Sequence, residues 1–438
     1  MGNLFVLLSV SSILLPAVFA GVSFQKCLNT VRKGSFGTVG GGDNHGNPMD
    51  KPNATAITYE SCLAACGAGP EPFQWFIFSQ QFSSWLLPWL ALVSQLPFGS
   101  NDKLDNLDSV LLTIGSPALA AYSLALTALN GRWIARRFAR FTYPNTRHAI
   151  RIFNNLQQAP LRIVRDDALL ASLVVLPQND EWWIELDEGL NDTHSWSIST
   201  VTSIAWVVIA YVFTLLDSFT MDLMTCAQAI GQAVGSLWSW LLPIFIGWMM
   251  ISPKCDSLRL SSMIERANRI AYVATDDGSI ILTKHSGSEK HAVELTMPEG
   301  DSLTCDQKCT AAVYHYAKFL SWVMAVEEVC EAFHGASDHY HNHLSVDPTI
   351  DWVAVDRNQN LHERNRVGNR LQLEEYCRPL HARTTRSRWG PNVISRMAIA
   401  SFLAMVLQWG TAGSAIIVTW FPPTIGKLEH RRLCLLIC

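Results

Sequence analysis

The sequence predicts a mainly α-helical, polytopic membrane protein with four or five spans and a mixed α/β extramembrane loop region. Three observations predict it. Residues 223–253 contain no charged side chain, and roughly 20 apolar residues are enough to cross a hydrocarbon core about 30 Å thick. A second run without Asp, Glu, Lys or Arg, residues 193–216, precedes it. Only 16% of the residues are charged while 49% are hydrophobic, against roughly 25% charged in soluble domains. Spanning segments must satisfy their backbone groups internally, which selects helices. The net charge of −4 gives no reason to expect a nucleic-acid partner.

Residues 1–20 read as a signal peptide. Leu4–Leu15 is its apolar core, and Val18-Phe-Ala20 precedes a cut ahead of Gly21. The usual basic n-region is missing, and the alternative is a first membrane anchor. Residues 21–72 form a luminal or extracellular N-terminal segment, with a loop signal at Gly40–Pro48. Asn53-Ala-Thr55 is a glycosylation acceptor there. Cys27, Cys62 and Cys66 offer one disulfide with one thiol left over.

Residues 73–131 are the first membrane region. Within it, Phe73–Phe98 is uncharged but holds several Gln and a central Pro88, so it spans, re-enters or lies at the interface. Ser109–Gly131 is a cleaner span. Residues 132–192 form a basic, then acidic, extramembrane loop. Eight Arg and no Lys lie between Gly131 and Asp167. They either contact anionic lipid headgroups or only set topology. Ala168–Pro177 is too short to span and suits a buried or interfacial helix. Asn191-Asp-Thr193 is a second glycosylation acceptor.

Residues 193–253 are read as a transmembrane hairpin that turns at Asp217–Asp222. Residues 254–393 form a large extramembrane loop and the place where protein partners would bind. Within it, alternation over Ile270–Pro298 predicts short strands turning at Asp276-Asp-Gly-Ser. Helical spacing puts Tyr314, Phe319, Trp322, Val323, Val326 and Val329 on one face over Ala311–Phe333. Arg357–Arg388 is highly charged and reads as solvent-exposed. Residues 394–426 are the last span, and 427–438 are a tail.

Basic clusters beside span ends place Arg132–Arg140, Lys254 with Arg259, and Arg383–Arg396 in the cytoplasm. With a luminal N-terminus, Phe73–Phe98 then cannot cross, and Asn191 falls on the cytoplasmic side. If Phe73–Phe98 does cross, every later side flips. Cys305, Cys309, Cys330 and Cys377 then become luminal and able to pair. Either topology puts the protein in the secretory pathway or the plasma membrane.

Few residues suggest chemistry. Asp217 and Asp222 serve an ion or proton, or simply flank a solvated turn. Gly231-Gln-Ala-Val-Gly235 offers a face on which helices can pack closely. His334, His339, His341 and His343 are the densest candidates for metal ligands. On an extended segment, His-x-His-x-His would put alternate imidazoles on one side. The alternative is a solvated loop. The Cys305-x-x-x-Cys309 pair is a weak disulfide or metal signal. The chain has no Walker loop, no Gly-x-Ser-x-Gly, no His-Glu-x-x-His and no dinucleotide fingerprint. No cofactor is expected.

Pro70–Leu92, Gly115-Ser-Pro-Ala-Leu-Ala-Ala-Tyr-Ser-Leu124, Asn130-Gly-Arg-Trp-Ile-Ala-Arg-Arg137, Gln408-Trp-Gly-Thr-Ala-Gly413 and Pro422-Pro-Thr-Ile-Gly426 resemble a family of uncharacterised fungal multi-pass membrane proteins. The resemblance implies a membrane fold and brings no activity or catalytic residues. Similar proteins continue past Pro-Pro-Thr-x-Gly with further spans. The Lys427–Cys438 ending here is therefore expected to reflect a truncated or mis-spliced gene model. The functional expectation is a non-enzymatic receptor, scaffold or sensor whose partner is the bilayer. The alternatives are a transporter or channel, and a membrane enzyme with a metal in the His334–His343 cluster.

Overall fold

A computed structural model describes residues 103–191, 198–220, 240–251, 257–285, 291–295, 315–354, 361–380 and 392–413, with short pieces between 29 and 94. Among the described residues 72% are helical, and strands occur only as two-stranded ladders. The chain divides into two compact units. One comprises Met1–Ala91, Ser203–Trp238 and Thr411–Cys438; the other comprises Leu92–Thr202 and Ser239–Gly410. In the first unit, Gly41–Gly42 pairs with Ala56–Ile57, and Arg32 Nε donates to Ala54 O at 2.8 Å.

The second unit contains α1 (Lys103–Gly115) and α2 (Pro117–Phe138). Ser109–Gly115 and Pro117–Phe138 meet at 109°. The straight span expected over Ser109–Gly131 is therefore a bent pair. Proline drives its predecessor out of the helical region, and Ser116 sits at φ −139°, ψ 77°. Pro117 itself opens α2, where its missing N–H costs nothing. Next come α3 (Thr146–Asn155), β1 (Leu161–Ile163), α4 (Leu169–Val175) and α5 (Asp180–Leu190). All seven residues of α4 are buried, as its short, uniformly apolar sequence requires.

The helix α6 (Ile198–Thr220) contains no Gly or Pro to stop it. Its backbone stays helical through Asp217, where a hairpin turn was expected to begin. Asp222, Gly231 and Gly235 lie outside the described residues. So do residues 1–20, Cys27, Cys62, Cys66, Cys305, Cys309 and everything after 413. The described part of the second hairpin helix is α7 (Leu241–Ile251), eleven residues long. Gly247 lies so close to α2 that an added Cβ would come within 2.5 Å of the Leu124 side chain.

After α8 (Ser257–Asn268), β2 (Tyr272–Ala274) and β3 (Ile280–Leu282) form the expected hairpin. Gly278 supplies its φ of +78°, a conformation that favours glycine. The strand β4 (Val293–Leu295) pairs antiparallel with β1, Arg162 opposite Glu294. The described parts of 132–192 and 254–393, expected as separate loops, thus build one body. Further along come α9 (His315–His341), α10 (Arg370–Tyr376) and α11 (Val393–Gln408), which ends in a π turn at Trp409–Gly413.

The body's core is aromatic. Phe319, Trp322, Val323, Val326 and Val329 of α9 are buried, as their spacing predicts. Trp182 stacks edge-on against Trp183 at 4.9 Å, Trp183 against Phe333 at 5.5 Å, and Phe138 against Phe333 at 5.8 Å. Buried indoles need hydrogen-bond acceptors. Trp182 Nε1 donates to Asn268 Oδ1 at 3.1 Å, Trp183 Nε1 to Leu173 O at 2.9 Å and Trp322 Nε1 to Phe153 O at 2.9 Å.

The outer surface of α11 differs. Val393, Arg396, Ala400 and Ala404 are buried, at helical spacing, while large apolar neighbours such as Phe402 and Trp409 are 64% and 65% exposed. Small residues on the buried stripe let α11 lie against α2.

Candidate functional site

Where α11 begins, a charge is buried among apolar helices. Arg396 is 5% exposed. Its Nη1 donates to Asn130 Oδ1 of α2, and its Nε to Asn392 O at 3.3 Å. The guanidinium carbon lies 4.1 Å from the Trp133 ring centroid and 5.1 Å from that of Phe319. Aromatic faces attract a guanidinium, more strongly when water is excluded. The start of α11 thus sits beside the end of α2, so the two helices run antiparallel.

The polar network continues into the body. Asn130 Nδ2 donates to Gln157 Oε1 at 3.1 Å, and Gln157 Nε2 donates to Asn154 Oδ1 at 3.0 Å and Thr127 O at 3.3 Å. Gly131 makes room for this chain: an added Cβ would lie 2.8 Å from Asn154 Oδ1. About two turns further along α2, Arg137 Nη2 donates to Glu327 Oε2 of α9 at 2.8 Å. This junction ties α2, α9 and α11 together. It binds and orients helices. Among the described residues it shows no nucleophile–base pair.

A second buried guanidinium works differently. Arg366 is 1% exposed. It donates to Asp180 Oδ2 at 2.7 Å and Oδ1 at 2.6 Å, and to Val175 O at 2.7 Å and Leu176 O at 3.3 Å. The last carbonyls of a helix lack intrahelical donors; Arg366 supplies them to α4 and clamps the first residue of α5. Burial is the largest influence on its pKa and lowers it, but the hydrogen bond to Asp180, the charges of Asp180 and Tyr143 and the hydrogen bond to Tyr143 together outweigh burial and leave it raised. The Tyr143 ring centroid is 6.0 Å away, and burial pushes that phenol well above its ordinary value. The exposed Arg357–Arg388 stretch expected from charge therefore contains a core residue. Asn365 beside it is buried too.

The histidine cluster does not converge. His334, His339 and His341 lie in α9, not on an extended segment, so His339 and His341 point about 200° apart. His339 Nδ1 donates to Gly335 O at 2.9 Å, and its ring stacks on Tyr376 at 4.8 Å. His341 Nε2 lies 3.2 Å from Thr142 Oγ1. His334 lies 3.7 Å from Asp338, and His343, at φ +53°, meets Trp352 edge-on at 5.4 Å. Among the described residues no group of three or more His, Cys, Asp or Glu could hold a metal. Packing of Phe333, Ala336, Ser337 and Tyr340 against the body keeps this stretch helical.

Asn53 and Asn191 are both exposed, as a glycosylation acceptor must be. Asp217 falls inside α6. Cys330 and Cys377 are thiols rather than a disulfide, and burial pushes the Cys377 thiol upward. Sequence reasoning missed Asn130, Gln157 and Arg366. One signal was present: Arg396 stands at the threshold of a long apolar run, where a charge needs a partner. No protein-family model, curated protein or solved structure matches this chain. The resemblance to fungal membrane proteins gains no support from those comparisons.

Proposed function

We propose that the chain is an integral membrane protein whose folded body acts as a non-enzymatic scaffold, receptor or sensor at the membrane face. The outer surface of α11 carries this reading. Val393–Thr411 is 19 residues long with mean hydropathy 1.5, and only 22% of it is buried. At 1.5 Å per residue it is about 28 Å long, close to the hydrocarbon thickness. A core helix of a soluble protein would be mostly buried. This one turns Ile394, Phe402, Met405, Val406 and Trp409 outward, and apolar area left in water costs about 25 cal/mol per Å².

The bent α1–α2 pair fits a broken or re-entrant span, and lipid accounts for the exposed Val201, Trp206, Ile209 and Phe213 of α6. We propose four or five crossings in all, in line with the fungal resemblance. Arg132, Arg136 and Arg396 lie at the same end of the α2–α11 pair, which supports a cytoplasmic body. Asn53 would then carry a glycan and Asn191 would not.

Alkaline carbonate extraction tests the membrane assignment. The full chain is expected in the pellet, and release into the aqueous phase without detergent overturns it. A deglycosylation shift abolished by Asn191→Gln would overturn the sidedness alone.

A further inference from the structure

We propose that Arg132, Arg136 and Arg140 form a binding site for anionic phospholipid headgroups beside α11. The proposal rests on the membrane reading above. The three residues are spaced four apart, so they form one row along the last turns of α2 and the turn that follows. All three are exposed. None of their side chains forms a hydrogen bond or an ion pair among the described residues.

Their neighbours explain why they remain available. The acidic groups of α9 are already taken: Glu327 by Arg137, and Glu328 and Glu331 by Arg165 at 3.5 and 3.0 Å. Arg137 follows Arg136 directly, yet it turns inward. One arginine of the cluster therefore holds the fold, while the other three present their guanidinium groups to the surroundings.

Depth along the helix pair points to the occupant. Asn130 meets Arg396, the fourth residue of α11, and the apolar stretch of α11 runs from there to Thr411. Because the helices are antiparallel, Arg132 to Arg140 lie about 3 to 15 Å past Asn130, on the side away from that stretch. A bilayer of about 40–45 Å with a core of about 30 Å leaves about 5–8 Å of headgroup on each side. Arg132 falls in that layer, Arg136 lies about 9 Å past Asn130 at its outer edge, and Arg140 reaches back to it along its flexible stem. Guanidinium groups bind phosphate oxygens two at a time, so the row matches the phosphate and carboxylate groups of an acidic phospholipid.

The test uses the full chain reconstituted in phosphatidylcholine vesicles doped with spin-labelled phosphatidylserine or spin-labelled phosphatidylcholine. Electron spin resonance reads the motionally restricted fraction of each label. Phosphatidylserine is expected to associate severalfold more strongly with the wild type, at about fivefold per engaged arginine. Added sodium chloride should reduce the preference. The triple variant Arg132→Gln, Arg136→Gln, Arg140→Gln should lose it, and the triple Arg→Lys variant should keep most of it. Equal association of both labels with the wild type overturns the proposal, as does a preference that survives in the glutamine variant. Displacement by inorganic phosphate beyond the effect of chloride at equal ionic strength assigns the site to free anion and also overturns it. If the protein instead leaves the vesicles on carbonate washing, the membrane reading itself fails.

Discussion

Arg366 and Arg396 are both buried, at 1% and 5% exposure, yet the regions around them neutralise a cation in different ways. Arg366 is met by a carboxylate and two helix-end carbonyls. Arg396 is met by an amide, one carbonyl and two aromatic faces. The first arrangement belongs to the aromatic-cored body, where a full ion pair fixes one geometry. The second belongs to the foot of an apolar helix, where polarisable rings cover the charge without a second buried ion.

The contrast can be broken by substitution. Asp180→Ala removes the carboxylate and strands Arg366. Losing one partner of a buried pair costs about 3–5 kcal/mol. The low end, about 3 kcal/mol, applies because the Asp180 side chain is 34% exposed. Chemical denaturation in detergent, followed by tryptophan fluorescence, would read it. Gly335→Ala comes next. Its Cβ would lie 2.2 Å from Cys377 O, a backbone atom that cannot swing aside, so about 2 kcal/mol is expected by the same assay. Gly247→Ala meets only the end of the Leu124 side chain and should cost less than about 1 kcal/mol. Arg396→Met should cost about 1 kcal/mol or less, because an apolar chain replaces a charge that no carboxylate pairs. A loss as large as that of Asp180→Ala would erase the distinction between the two regions.

The smallest expected effect is a pH dependence at His291. Burial holds its imidazole below the ordinary 6.5, with Glu294 partly opposing. The unfolded chain therefore takes up its proton at higher pH than the folded one. The stabilisation is intact above about pH 6.5 and is lost as pH falls below it. His291→Gln should flatten the stability curve in that window and leave the plateau at higher pH unchanged.

What the sequence revealed was local. The buried face of α9, the short buried α4 and the β2–β3 turn follow from spacing and from Gly278. What it hid was long-range. β1 and β4 are three residues each, too short to advertise a partner across the chain. Arg366 looked like one charge in a charged stretch, and only the buried carbonyls that the end of α4 leaves in need of donors make it a core residue. The bend at Ser116 was marked by Gly115 and Pro117, but hydropathy averaged over a window masks a breaker. The histidines suggested a metal only because an extended backbone was assumed, and tertiary packing of α9 overrides that.

The most direct test of the account is the environment of α11. Nitroxides placed singly at residues 400, 402, 404, 405 and 406 of the reconstituted chain can be challenged with oxygen and with a water-soluble nickel chelate. The account predicts that the labels at Phe402, Met405 and Val406 collide with oxygen and are shielded from nickel, while those at Ala400 and Ala404 are shielded from both. Nickel access at Phe402 and Met405 would put that face in water and contradict it.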